Sequence, residues 1–467
     1  MTVIKVGANE AYRTIGAAVN AASSGDTIEV YPGTYKEIVK IDKALTVVGI
    51  DEPVIDGGWD RKRKGDLYKP TVGINAADVV FSGFRIQNCP GTGMVVTGDA
   101  ARVRVLDCEI DTTYGTGINV RGDRKARVST IEIGRCRVLN TSMAMTLTGE
   151  QKAGNAVMLR DCEDVWFHHC VVARSYKEGI NVDKGGLRTV VEDCILFDIN
   201  HSAIYLNRAA DCDIRRNIVY HTKARPFLGA AYDKRTSPTG IKVGDEGKTS
   251  PYPRSFNQRV MGNIVIGGSS CLTVANNPNN YDTQLNGAVI SGNTFIGEVW
   301  QDEKGTSKTG TVIEIFQNYN GNAHKDSLFA DNLIYAPAGV ELSKMSGVGG
   351  VTFENNYWYS ADGGNEQPDP RLVNPVAVVG DSFDLDNYRP QVGSPLVAAG
   401  IGALDPVQVE PPPPDPEPGP DISWLLPALE ANLILLEEAG LRIGAAVVDT
   451  HEFIALLKAQ VNIDPNG

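Results

Sequence analysis

Residues 170–206 read CVVARSYKEGINVDKGGLRTVVEDCILFDINHSAIYL, and two short phrases occur in them twice. One is a small residue, an aliphatic, a variable residue and an aliphatic: Gly179-Ile180-Asn181-Val182, then Ala203-Ile204-Tyr205-Leu206. The other is Cys170-Val171-Val172, then Cys194-Ile195-Leu196. Each returns after 24 residues. Aliphatics that alternate with a variable residue have the period of a β-strand, with the aliphatics facing in and the variable residue facing out. A strand that recurs at one coil length along a chain predicts a solenoid.

Both phrases extend far in each direction. The first is also present at Gly93-Met94-Val95-Val96, Gly117-Ile118-Asn119-Val120, Ala156-Val157-Met158-Leu159, Gly240-Ile241-Lys242-Val243, Cys271-Leu272-Thr273-Val274 and Gly339-Val340-Glu341-Leu342. The second is led by Cys108, Cys136, Cys170, Cys194, Asn217, Asn263, Asn293, Asn332 and Asn356, at steps of 28, 34, 24, 23, 46, 30, 39 and 24 residues. The short steps are single coils, and the long ones are coils that carry loops. Asparagines stacked at a turn can hydrogen-bond along the rod and satisfy buried polar groups. A cysteine at the same rung fills the interior without that partner. The predicted fold is therefore all-β: a right-handed, single-stranded parallel β-helix.

The composition agrees with this. The 467 residues include 49 glycines, which suits many tight turns, and the aromatic share is only 7%. The net charge is −13, from 44 basic and 57 acidic residues, so neither nucleic acid nor an anionic membrane is an expected partner. No run reaches the ~18 apolar residues of a membrane helix, and no membrane insertion is expected. The N-terminal stretch lacks the basic start and apolar region of a secretory signal. The eight cysteines form no CxxC pair and no His/Cys cluster with zinc spacing, and they read as buried thiols. No cofactor and no metal are expected. The pair His168-His169 is discounted as a metal site because neighbouring strand residues point to opposite faces.

The opening, residues 11–58 (AYRTIGAAVNAASSGDTIEVYPGTYKEIVKIDKALTVVGIDEPVIDGG), resembles the start of the pectate-lyase-like right-handed β-helix superfamily. The resemblance implies a short helix over residues 12–23 that plugs the first coil, and sheets that begin at Thr27-Val30, Ala44-Val48 and Pro53-Ile55. The stretch 369–400 (DPRLVNPVAVVGDSFDLDNYRPQVGSPLVAAG) looks like the exit of the same fold. Together these place the β-helix at residues 1–408. The superfamily's pectin methylesterase and polygalacturonase motifs are not recognisable, nor is the acidic calcium cluster of pectate lyases.

Residues 409–420, VEPPPPDPEPGP, read as an extended acidic spacer. Beyond it, 421–467 reads as a helical hairpin. Its first helix would carry Ile422, Leu425, Leu426, Leu429, Leu433 and Leu436 and end at Gly440. Its second would start at Asp449 and carry Phe453, Ile454, Leu457 and Val461. So small an element with so large an apolar face should bury that face against copies of itself or another protein. A homo-oligomer is expected, a trimer first, or attachment to another virion protein.

Chemistry should sit outside the rod, where loops on a rigid scaffold commonly carry function. The longest insertions, residues 223–240 and 244–259, flank the strand that contains Lys242. A lyase acting on uronic acids needs a base and a positive group for the carboxylate, for which Lys177, His201, Tyr205 and Lys242 are candidates. A hydrolase needs two carboxylates, and Glu178 with Asp183 or Asp245 with Glu246 would have to supply them. Tyr114, Asn119, Tyr176, Glu178, Asn181, Asp183, Arg208, His221, Lys223 and Arg225 are the candidate substrate-binding residues.

Two readings follow. The first is a virion surface protein, which resembles phage tailspikes, head fibres or capsid decoration proteins in joining a β-helix shaft to a helical element. It would be assembled in the host cytoplasm and present a polysaccharide site. The second is a polysaccharide lyase or glycoside hydrolase acting on an acidic polysaccharide, extracellular or periplasmic.

Overall fold

The computed structural model describes residues 2–404, apart from 62, 145–153, 223–237, 248–249, 276–281, 302–306, 317–322 and 376–382, and the pair Leu441–Arg442. Lys223, Arg225 and the predicted tail residues Ile422, Leu425, Leu429, Leu433, Leu436, Phe453 and Leu457 lie outside the described residues.

The chain winds into three long sheets, here called A, B and C, of 13, 12 and 11 strands. Within each sheet every strand pairs in parallel with the strand one coil before it and one coil after it. On sheet C, for example, Ile180 pairs with Ile204 and Ile204 with Ile241. Inward side chains from successive coils then stack into continuous apolar columns. On sheet B one column runs Val172, Leu196, Val219, Val265, Phe295 and Ile334. Each such column removes its side chains from water, which stabilises the rod by roughly 1.5–3 kcal/mol for each large aliphatic or aromatic. The helix Ile15–Ala21 closes the first coil. Thr14 caps it by accepting from the Ala17 N–H, and Ile15, Ala18 and Val19 are buried.

The Cys/Asn ladder forms as the spacing predicts. Asn217, Asn263, Asn293, Asn332 and Asn356 hydrogen-bond in order along the rod. The cysteine rungs are not silent fillers, because the Cys108, Cys170 and Cys194 thiols each donate to the carbonyl two residues earlier. All eight cysteines are buried and unbridged, and burial pushes the Cys89 and Cys212 thiols up to about 12. The residue before each rung turns the chain with positive φ. Asp107, Arg135, Asp193 and Arg216 do this without being glycine. Arg135 forks onto Asp107 at 2.7 and 2.8 Å, and Arg216 onto Asp193 at 2.8 and 2.7 Å, so the strained turns are paired coil to coil.

Two expectations need correction. Gly339-Val340-Glu341-Leu342 is out of register. Ile313 pairs with Ser343, so the outward row of sheet C passes through Glu314 and Lys344 rather than Glu341. The rings of His168 and His169 do not point apart. His169 turns with φ 52° and brings its Nδ1 to 2.9 Å from that of His168. The outer face of sheet B, on which the sequence reading was silent, is a second core. Ile195, Phe197, Ile218, Tyr220, Ile264 and Tyr335 point outward and are covered by Leu372, Phe383, Leu385, Tyr388, Leu396 and Ile401 of the exit segment. Gly402 and Ala403 pin that segment by donating to the Asp331 carbonyl and to Thr294 Oγ1. Leu441–Arg442 pairs in parallel with Phe383–Asp384 of the same segment.

Candidate functional site

With sheet B covered, the outward rows of sheet C carry the largest set of predicted residues. Strand pairing stacks Asn119, Met158, Asn181, Tyr205, Lys242, Thr273, Glu314 and Lys344 in one row, a residue from each successive coil. Coils are ~4.8 Å apart, so these eight span ~34 Å. All but Met158 are polar. The alternation that sends Ile180 and Val182 into the core sends Asn181 out.

Outward here does not mean exposed. Asn181 is 6% exposed and Tyr205 3%. The Asn181 Oδ1 atom is buried without a hydrogen-bond partner among the described residues, as is that of Asn119. Such an atom costs about 1–3 kcal/mol, which a ligand donor would recover. Lys242 Nζ lies 4.7 Å from the Tyr205 ring centroid, so a cation stands over an aromatic face. At the start of the strands, Lys177 Nζ is 3.9 Å from Glu178 Oε2, and His201 Nδ1 is 3.7 Å from Glu178 Oε1. His201 is tied to the coil below, its N–H donating to the Lys177 carbonyl. The structure thus brings together Lys177, Glu178, Asn181, His201, Tyr205 and Lys242, with Asn119 two coils further down the row.

Other candidates have different placements. Tyr114 is fully buried and packs edge-on to Trp59 at 5.3 Å, with Tyr176 in the same cluster, so both build a small satellite core. Arg208 donates to the carbonyls of Glu246, Gly247 and Tyr252 and staples the loop after the Lys242 strand. His221 is buried beside Gly268. In each hydrolase pair at least one carboxylate is engaged elsewhere. Glu178 and Asp183 sit at opposite ends of one strand, ~16 Å apart along the chain. Asp183 there accepts from Asn207 at 2.7 Å and lies 3.5 Å from Arg160. Asp245 is fully buried, with one oxygen held by the Ser255 N–H and hydroxyl.

Glu314 escaped the sequence reading, and Thr273 stands in the recurring phrase without being among the candidate site residues. Val312 stands where the phrase demands a small residue, although Ile313-Glu314-Ile315 keeps the alternation. Burial holds the Glu314 carboxyl above its ordinary value, against the Thr273 hydroxyl that donates to it at 3.1 Å. Among the described residues no group of three or more His, Cys, Asp or Glu could hold a metal ion, and no helix is long and apolar enough to cross a membrane.

Three parallel sheets wound by one chain, with a polar row on one face and a second core on another, define a right-handed parallel β-helix. Residues 70–295 match the family model described as a right handed beta helix region. The chain has the fold that this model describes, and the match spans a little under half of its length. No curated protein matches it by sequence. Among solved structures it is similar to PfbA, a surface adhesin of Streptococcus pneumoniae, with a TM-score of 0.56 at 12% identity over 74% of this chain and 86% of that one. The Dettilon tailspike protein gives 0.49 at 15% identity over 74% of this chain and 64% of its own, under two thirds of its length. Pectate lyase Pel9A gives 0.44 at 14% identity, over 84% and 87%. At 12% identity the likeness to the adhesin speaks for the fold alone.

Proposed function

We propose that this protein is a surface β-helix of a virion, of the tailspike, head-fibre or decoration kind, that binds an acidic glycan along sheet C. The observation that carries the glycan reading is the outward row Asn181-Tyr205-Lys242, in which the buried Asn181 Oδ1 lacks a partner among the described residues and a cation stands on an aromatic ring. Such a row offers an acidic sugar a donor, an apolar face and a positive charge on successive coils. The virion reading is supported by the unbridged thiols, which suit a particle assembled in a reducing cytoplasm. The apolar periodicity of residues 421–467 supports it as well, as an oligomerisation or attachment element.

The test is equilibrium binding of the full chain to a panel of acidic polysaccharides. Asn181→Ala and Lys242→Ala should each weaken binding at least tenfold. Unchanged binding in both variants would remove the site. Sedimentation of the chain with and without residues 409–467 tests the assembly role. An unaltered monomer in both cases would end it.

A second reading, a polysaccharide lyase, is favoured by His201, Glu178, Tyr205 and Lys242 lying on neighbouring coils. A base there would take the proton beside a uronate carboxylate, and the cation would stabilise the charge that develops. Absorbance from unsaturated sugar ends, lost in Lys242→Ala, would establish that reading over simple binding.

A further inference from the structure

Trp166 stands on the outward face of sheet A, around a corner from the polar row, and is 43% exposed. Its ring is held from two sides. The indole N–H donates to Glu192 Oε1 at 2.7 Å, and the ring stacks on the His168 imidazole at 3.8 Å with an interplanar angle of 22°. The carboxylate that accepts this bond is itself fixed, because Arg215 and Arg216 each donate to Glu192 Oε2 at 2.6 Å.

The layer beneath is built to match. His168 is 4% exposed and reaches His169 Nδ1 at 2.9 Å and Glu132 Oε1 at 3.4 Å. It lies flat over Gly134 of the preceding coil, where a Cβ would come within 2.6 Å of two imidazole atoms. Gly134 therefore makes room for His168, His168 carries Trp166, and Trp166 turns its other face to solvent. The double histidine that looked like a metal pair is the underlay of an indole.

An exposed tryptophan usually marks a protein contact or nothing at all. A protein contact would need an apolar patch of a few hundred Å². Among the described residues none of the other exposed large hydrophobics lies between Ala100 and Val260. The rim is charged instead, with Arg104 joined to Glu132 on the side of the preceding coils and Arg215 joined to Glu192 on the other. One flat, immobile aromatic face ringed by planar hydrogen-bonding groups suits a ligand with an apolar face and a polar edge. A sugar ring has that shape, with its C–H face for the indole and its hydroxyls for the rim. Little freedom is lost on binding, because the indole is already fixed.

We propose that Trp166 is a stacking platform for a pyranose ring, a carbohydrate site on sheet A separate from the row on sheet C. The site does not depend on the glycan reading of sheet C. It is tested by affinity electrophoresis of the full chain in gels cast with the neutral polysaccharides xylan, dextran or galactomannan, which lack the acidic groups expected on sheet C. At least one polysaccharide should retard the wild-type chain. Trp166→Ala should weaken that apparent affinity at least tenfold, Trp166→Phe should keep part of it, and Tyr68→Ala, at another exposed aromatic, should leave it unchanged. If Trp166→Ala runs as wild type in every gel, the platform does not exist, whatever sheet C binds. If Trp166→Ala and Lys242→Ala abolish the same retardation, there is one site and the separate platform is withdrawn.

Discussion

Asn217 gives both its backbone N–H and its side-chain amide to a single atom, Asn263 Oδ1, each at 3.0 Å. The two residues are 46 positions apart, and the loop between them belongs to the coil that carries Lys242. The ladder therefore holds register across the largest insertion in the rod.

Removing that acceptor should be costly. Asn263→Ala leaves the buried Asn217 N–H without its acceptor and takes one of two acceptors from the Asn217 amide, which keeps the Val191 carbonyl at 2.9 Å; it should lower stability by about 2–3 kcal/mol. Cys170→Ala at a cysteine rung removes a small apolar filler, a weak donor and the sulfur that weakly accepts from the Cys136 N–H at 3.3 Å, and should cost about 1–2 kcal/mol. Thermal denaturation of the two variants side by side checks the contrast. Equal losses would mean that the asparagines pack and nothing more.

Phe383 stacks on Tyr220 at 4.0 Å and lies at the centre of the second core. Phe383→Ala should cost about 3–5 kcal/mol, within the range for a buried aromatic. The loss should be local, because a solenoid coil depends on its neighbours and not on the exit segment. Limited proteolysis should cut faster between Ala361 and Leu404, while far-UV circular dichroism of the rod stays the same.

Arg208→Ala should free the loop that follows the Lys242 strand. Three carbonyls lose their donor at 2.9, 2.8 and 2.7 Å. Tryptic cleavage at Arg254 should accelerate at least tenfold. Glycan binding should then weaken without any loss of a direct contact, and Arg208→Lys should restore little, since one ammonium cannot fork to three carbonyls.

Asp245 carries a pH signature. Burial holds its carboxyl above the ordinary value, against the hydrogen bonds from Ser255. An acid whose folded pKa is raised binds its proton more tightly in the folded chain. Its contribution to stability is therefore full below the unfolded value of about 3.9, and is lost as pH rises through that value to the raised one. Asp245→Asn keeps an oxygen for Ser255 and removes the buried charge. The variant should be at least as stable as the parent at neutral pH, and should lack that descending step when melting temperature is followed from pH 3 upward. An identical pH profile would mean that Asp245 is not the group responsible.

Much of this was legible in the residues. Period-2 alternation and a recurring coil length have a direct physical reading, because an inward aliphatic must alternate with an outward residue in any half-buried strand. That reading located Asn119, Asn181, Tyr205 and Lys242 on one face. It missed Glu314, whose coil has Val312 at the small-residue position, and it put Glu341 where Lys344 stands. It misjudged His168 and His169, because strand geometry does not hold at a turn with positive φ. It was silent on the outer face of sheet B. Nothing local in Ile195-Leu196-Phe197 says which of its two faces a distant segment will cover.

The chain's own order of residues determined the rod, its three-sided winding and the Asn and Cys rungs, since each follows from contacts between a coil and the next. Which outer face is buried, which is polar and which presents an indole was decided only in three dimensions. Those outcomes depend on segments hundreds of residues apart, Phe383 meeting Tyr220 or Gly134 yielding to His168, and no periodicity along the chain encodes them.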